Sequence, residues 1–186
     1  MRPCLLLLLA CTPTYTQQEV ATHLPGEAKP NPNAAPATLG TGAEAPDFAL
    51  EDQTGRVRGL GELRQGGPVL VFFYPGSTSE DARQQLTRLQ AKLRGFPAGA
   101  TLVAVSPDTR SVNAKLREEL KLDFPLLSDE GLRASRAYKV ADTISGVGLP
   151  TFFVIDKEGK IRWRYRAGEG RTAEDEAIDA VRRAGQ

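Results

Sequence analysis

Three short stretches of the chain are apolar at almost every position: Pro68 to Tyr74, Thr101 to Ser106 and Thr151 to Ile155. Gly67 and Pro75 bound the first. An unbroken apolar run of this length is the pattern of a strand buried on both faces. Between the first two runs, Ala82, Leu86, Leu89 and Leu93 recur at helical spacing and predict a helix with one apolar face. Ser77 and Glu80 stand three apart at its start, as in a capping box. A second helix is predicted over Ser111–Leu120, after Ser106-Pro107-Asp108. Asp156-Lys157-Glu158-Gly159 reads as a tight hairpin turn. Beyond it Ile161, Trp163 and Tyr165 alternate with Lys160, Arg162, Arg164 and Arg166. The arginines read as charge guarding an edge strand, the alternative being an anion-binding patch. Thr172 is placed to cap a last helix running to about Ala184. The order is hairpin, strand, helix, strand, helix, short strand, helix, two strands, helix. It predicts an α/β fold, a mixed central sheet with helices on both faces.

Composition narrows the chemistry. The 186 residues are 40% hydrophobic and 25% charged, which suits one folded domain with a short appendage. With 24 Lys and Arg against 23 Asp and Glu the net charge is +1, so no nucleic-acid partner is expected. Both cysteines, Cys4 and Cys11, lie in the first eleven residues, and the one histidine is His23. Downstream of these positions a zinc-thiolate site, a disulfide scaffold, a cysteine nucleophile and an imidazole base are all excluded. No Walker loop, GxGxxG or HExxH sequence is present, and no cofactor or metal is expected.

The amino terminus reads as an address. Arg2 precedes an apolar run, Leu5 to Leu9, far shorter than the ~20 residues that span a bilayer. Leu8-Leu9-Ala10-Cys11 resembles the bacterial lipobox, which implies a signal peptide over 1–10 and a lipid on Cys11. The alternative is an ordinary secreted protein with a chance cysteine. Residues 11–40 then form a linker, punctuated by Pro13, Pro25, Pro30, Pro32 and Pro36 and without apolar periodicity. A flexible chain of that length spans roughly 30 Å. On this reading residues 41–186 are the folded domain, held at the bacterial cell envelope on its extracytoplasmic side.

Five motifs in order carry a family resemblance. They are Gly42-x-x-Ala45-Pro46-Asp47-Phe48-x-Leu50, Val71-Phe72-Phe73-Tyr74-Pro75, Val105-Ser106-Pro107-Asp108, Phe124-Pro125-Leu126-Leu127-Ser128-Asp129, and Phe153-Val154-Ile155-Asp156-Lys157-x-Gly159-Lys160-Ile161. Together they resemble peroxiredoxins of the alkyl hydroperoxide reductase and thiol-specific antioxidant family, over about Gly42 to Gly168. The resemblance implies a thioredoxin-like fold with an amino-terminal β-hairpin. It also implies a thiol peroxidase, whose motif P-x-x-x-[ST]-x-x-C opens the first major helix.

In that motif Pro75 and Ser79 match, and Ala82 stands at the position of the peroxidatic cysteine. A resolving cysteine would fall at Thr87, and the family arginine corresponds to Leu149 or Pro150. The degenerate pocket is thus Pro75, Ser79, Ala82 and Leu149. Ser77, Thr78 and Ser79 are read as cap and turn residues. Glu80 and Asp81 are read as a solvated pair at a helix start, the sharper alternative being an acid/base pair or metal seat. Gly148-Leu149-Pro150-Thr151 resembles the cis-proline loop of thioredoxin-like proteins. It implies that Leu149 and Pro150 seat an extended polypeptide by β-augmentation, a plain turn being the alternative. The reading is therefore an envelope binding or structural module without catalysis, set against a thiol-dependent peroxidase. The oligomeric state stays open.

Overall fold

The computed structural model describes residues 39–141, 150–166 and 173–186. The calls at Cys11, the linker, Leu149 and Thr172 fall outside these residues.

A hairpin of β1 (Ala49–Asp52) and β2 (Val57–Gly59) leads into a short helix, α1 (Leu60–Leu63). Then come β3 (Val69–Phe73), α2 (Glu80–Lys92), β4 (Thr101–Ser106), α3 (Arg110–Leu120), β5 (Leu126–Ser128) and α4 (Arg133–Ala137). The chain closes with β6 (Thr151–Ile155), β7 (Ile161–Arg166) and α5 (Ala173–Ala184). This is the order expected, with α1 added. The seven strands form one sheet in the order β2-β1-β5-β4-β3-β6-β7. β3 pairs in parallel with β4, and β4 with β5. The pairings β3–β6, β6–β7, β1–β5 and β1–β2 are antiparallel, so the sheet is mixed.

Successive side chains of a strand point to opposite faces. Every side chain of β3 is buried, so it feeds two cores. Leu70 and Phe72 join Ala82, Leu86 and Leu89 of α2, Leu116 of α3 and Ala177 and Val181 of α5. Val69, Val71 and Phe73 join Leu60 and Leu63 of α1, Ala134 of α4 and Tyr138. Helices therefore cover both faces.

Two local expectations are corrected. The cap of α2 is Ser79, whose hydroxyl accepts the N–H of Ala82 at 3.3 Å, and not a Ser77–Glu80 box. Ser77 lies before the helix, and its amide is taken by Asp108. The second difference is in β7. Val154 lies opposite Trp163 but Ile155 opposite Ile161, so Arg162 is an extra residue in a bulge. Simple alternation would put Ile161, Trp163 and Tyr165 on one face. The bulge resets the phase, so Ile161 enters the core with Phe153, and Tyr165 enters the opposite core with Phe152. Freed from the ladder, Arg162 pairs with the buried Asp156. β7 is the edge strand, as its charge pattern suggested.

The opening hairpin turns on Asp52, which is 1% exposed. Its carboxylate accepts from the Thr54 amide at 2.8 Å, the Thr54 hydroxyl at 2.5 Å, the Arg56 amide at 3.1 Å and Arg58 Nε at 3.0 Å. Burial pushes its pKa up, but these hydrogen bonds outweigh it and hold the carboxyl below its ordinary value of 3.8. A depressed pKa stabilises the fold above the unfolded value, and the gain is lost as pH falls through the folded one. We expect Asp52→Ala to cost about 2 kcal/mol at neutral pH, by loss of a multiply bonded ionised acceptor. Denaturant unfolding at a series of pH values checks this: wild-type stability should fall below about pH 4 more steeply than that of the variant.

Candidate functional site

The site lies where β3 and β4 end and α2 begins. Tyr74 extends β3, its amide donating to Val105 O at 2.9 Å, and the chain then turns through Pro75 and Gly76. Gly76 has φ +128, and a Cβ there would come to 3.1 Å from Asp108 Oδ1. Glycine is needed at this point for both backbone conformation and space. The Asp108 carboxylate accepts the amide of Ser77 at 2.7 Å and so pins the loop to the end of β4. Ser79 caps α2, and the methyl of Ala82 is 1% exposed, packed in the core cluster with Tyr74 and Leu86.

A hydrogen-bonded cluster stands behind this loop. The Tyr74 hydroxyl donates to Asn113 Oδ1 at 3.1 Å. Asn113 Nδ2 donates to Ser128 Oγ at 3.1 Å. Ser106 Oγ lies 3.3 Å from Asn113 Oδ1 and 3.4 Å from Asp108 Oδ2, and accepts the Asp108 amide at 3.3 Å. Its single proton can serve one of the two acceptors at a time. Burial drives the Tyr74 pKa well above the ordinary tyrosine value; the Ser106 hydrogen bond opposes this and the charge of Asp108 adds to it. Tyr74 is therefore a neutral donor at any physiological pH.

The sequence-predicted site residues divide. Pro75, Ser79 and Ala82 come together at the head of α2. Glu80 and Asp81 are exposed, and among the described residues no group of acidic or sulfur side chains is arranged to hold a metal. Thr87 is exposed on the outer side of α2, its hydroxyl bonded to Arg83 O at 2.9 Å. Pro150 is half-buried directly before β6, whose first residue Thr151 pairs with Phe73 at the carboxyl end of β3. Leu149 lies outside the described residues. Sequence reasoning missed Asn113 as the centre of the cluster. The available signal was a polar residue three before Leu116, on the face that α3 buries. One buried hydroxyl has no partner among the described residues, that of Tyr138. It belongs to the other core, among Phe48, Phe73 and Phe153.

The loop, helix and strand ends thus meet at a junction with the methyl group of Ala82 buried at its centre. Comparison with known proteins fixes the lineage. The sequence model of the AhpC/TSA family matches residues 41–164. The chain belongs to the AhpC/TSA family. It is 31% identical over 171 residues to the chloroplastic peroxiredoxin Q of Oryza sativa subsp. japonica, covering 84% of this chain and 78% of that one. To peroxiredoxin Q of Sedum lineare it is 32% identical over 136 residues, 72% of each chain. The crystal structure of peroxidoxin BcpB from Mycobacterium tuberculosis superposes with a TM-score of 0.72 at 30% identity, covering 77% of this chain and 96% of that one. A peroxiredoxin-like protein from Aquifex aeolicus shares the fold, with a TM-score of 0.71 at 19% identity over 79% and 88% of the two chains. These likenesses bear out the peroxiredoxin-like, thioredoxin-superfamily domain expected from the motifs.

Two outcomes follow for the head of α2 and the cluster behind it. Asn113→Ala strips Tyr74, Ser106 and Ser128 of a shared partner and should cost about 1–3 kcal/mol, read as a lower denaturation midpoint. Ala82→Cys places a thiol at the head of α2, where Glu80, Asp81 and Asp108 are like charges to a thiolate. Its second-order reaction with hydrogen peroxide should stay within about tenfold of free cysteine. Thiol loss followed at neutral pH checks it, and the Ala82→Cys/Leu149→Arg variant, with a cation restored, should react faster.

Proposed function

We propose that this chain is a lipid-anchored, non-catalytic member of the AhpC/TSA family, acting as a binding or structural module of the bacterial cell envelope. The observation that carries the reading is the buried Ala82 methyl at the head of α2, in a chain with no cysteine beyond Cys11. A peroxidatic step needs a thiolate, because the sulfur electron pair attacks the peroxide oxygen. Hydroxyls cannot substitute here: Ser79 is engaged as a cap, and the one histidine is His23. The hydrogen-bonded cluster around Asn113 supports the same reading, since it satisfies the polar groups of the pocket internally. Cys11 supplies the membrane attachment through its lipid. The loop before β6, at Leu149 and Pro150, is the seat for an extended polypeptide partner, and Pro150 lies beside the carboxyl end of β3.

Two measurements test the proposal. The purified protein should turn over hydrogen peroxide with a thiol donor no faster than a heat-inactivated sample. Turnover above that background would return the chain to the peroxidase activity of the class its relatives are named for. Cys11→Ser should move the protein from the detergent to the aqueous phase on partitioning, because the run Leu5–Leu9 is too short to span a bilayer. Retention of the variant in detergent would overturn the lipid anchor.

A further inference from the structure

The end of the sheet opposite the head of α2 carries a group of basic side chains. A cleft of about 1060 Å³ opens there, beside the start of β3, the turn between β6 and β7 and the last turn of α5. Lys157, Arg162, Arg182 and Arg183 line it, with Glu158 as the one acidic side chain. Lys160 follows in the same turn, opposite the exposed Glu44 across an antiparallel bridge, and Arg64 donates to the carbonyl of Lys157. Two of these cations are spent on neighbours: Arg162 pairs with Asp156, and Arg182 with Asp179 at 2.9 Å. Lys157 and Arg183 are exposed and have no acidic partner among the described residues. The amides of Gly66 and Gly67, on the cleft wall, likewise make no hydrogen bond to the described residues. The carbonyl end of α5 favours Arg182 and Arg183 there, but it has no hold on Lys157, Lys160 or Arg64, which come from other elements.

The path of the chain adds a second observation. The first described residues pass this same end. The Gly42 amide donates to Ile161 O at 2.7 Å and the Ala45 amide to Gly159 O at 2.8 Å, beside the lysines of the turn.

We propose that this basic end of the domain docks on an anionic phospholipid surface, with Lys157, Lys160, Arg64 and Arg183 meeting headgroup phosphates. The proposal rests on the lipid-anchor reading. It deepens that reading by fixing which way the domain faces: the pocket and the Pro150 loop point away from the bilayer. Each cation near an anionic surface strengthens attachment by about fivefold, screened within a Debye length.

The test uses the full chain carrying Cys11→Ser, so that no lipid contributes. It should sediment with phosphatidylglycerol vesicles at low salt, much less with phosphatidylcholine vesicles, and be released by added salt. Lys157→Glu with Arg183→Glu should weaken sedimentation by at least about twenty-five-fold, the loss of two cations alone. Arg110→Glu with Arg133→Glu makes the same change of net charge at the other end of the sheet and should leave it nearly unchanged. Equal loss in both double variants, or equal binding to the two kinds of vesicle, would overturn the proposal. So would release by inorganic phosphate beyond that by chloride at matched ionic strength, which would mark a compact-anion site in the cleft. Detergent partitioning of the wild type reads the anchor separately: should it stay aqueous while the Cys11→Ser chain binds phosphatidylglycerol, the anchor fails and the docking surface stands.

Discussion

The five side chains of β3 are each at most 1% exposed, and they alternate between two cores. A strand buried in this way cannot lie at an edge or face water on one side. It needs a partner on each flank, which β4 and β6 supply, and a helical layer above and below. The parallel pairing with β4 in turn requires a crossover, and α2 is that crossover. The head of α2 is thereby fixed beside the carboxyl ends of β3 and β4, whatever residues occupy it.

That geometry separates the place of a site from its chemistry. Fold and loop path bring Pro75, Gly76, Ser79 and Ala82 together at the carboxyl ends of β3 and β4. The chemistry would need a sulfur and a cation, and position 82 holds a methyl. Around it Ser106, Asn113, Ser128 and Asp108 satisfy one another, and the orphaned hydroxyl of Tyr138 belongs to the opposite core. A buried cluster whose polar groups are already paired gains little by drawing in another polar group.

Much of this was legible in the chain. The three apolar runs became β3, β4 and β6, because burial on both faces leaves no polar position to blur the pattern. The helical face of α2 was read from Ala82, Leu86 and Leu89, and the absence of cysteine beyond Cys11 needed no structure at all. What escaped depended on contacts far apart in sequence. Ser77 and Ser79 are equivalent caps on paper; the Asp108 carboxylate, 31 positions away, takes the Ser77 amide and leaves Ser79 to the helix. The four residues of α1 are too few to show a period. Asn113 looked like one polar residue among several in α3, and its role appears only when Tyr74, Ser106 and Ser128 converge on it.

The bulge at Arg162 has a consequence for how the molecule comes apart. Because it shifts the phase of β7, one short strand places Ile161 in one core and Tyr165 in the other. A regular strand at this edge would have fastened a single layer, and its loss would have left the second intact. Here detachment of β7 opens both hydrophobic layers together. The edge strand, ordinarily the first element to fray, is thereby tied to the cooperativity of the whole domain, and sub-global opening at that margin becomes as costly as loosening the two cores it joins.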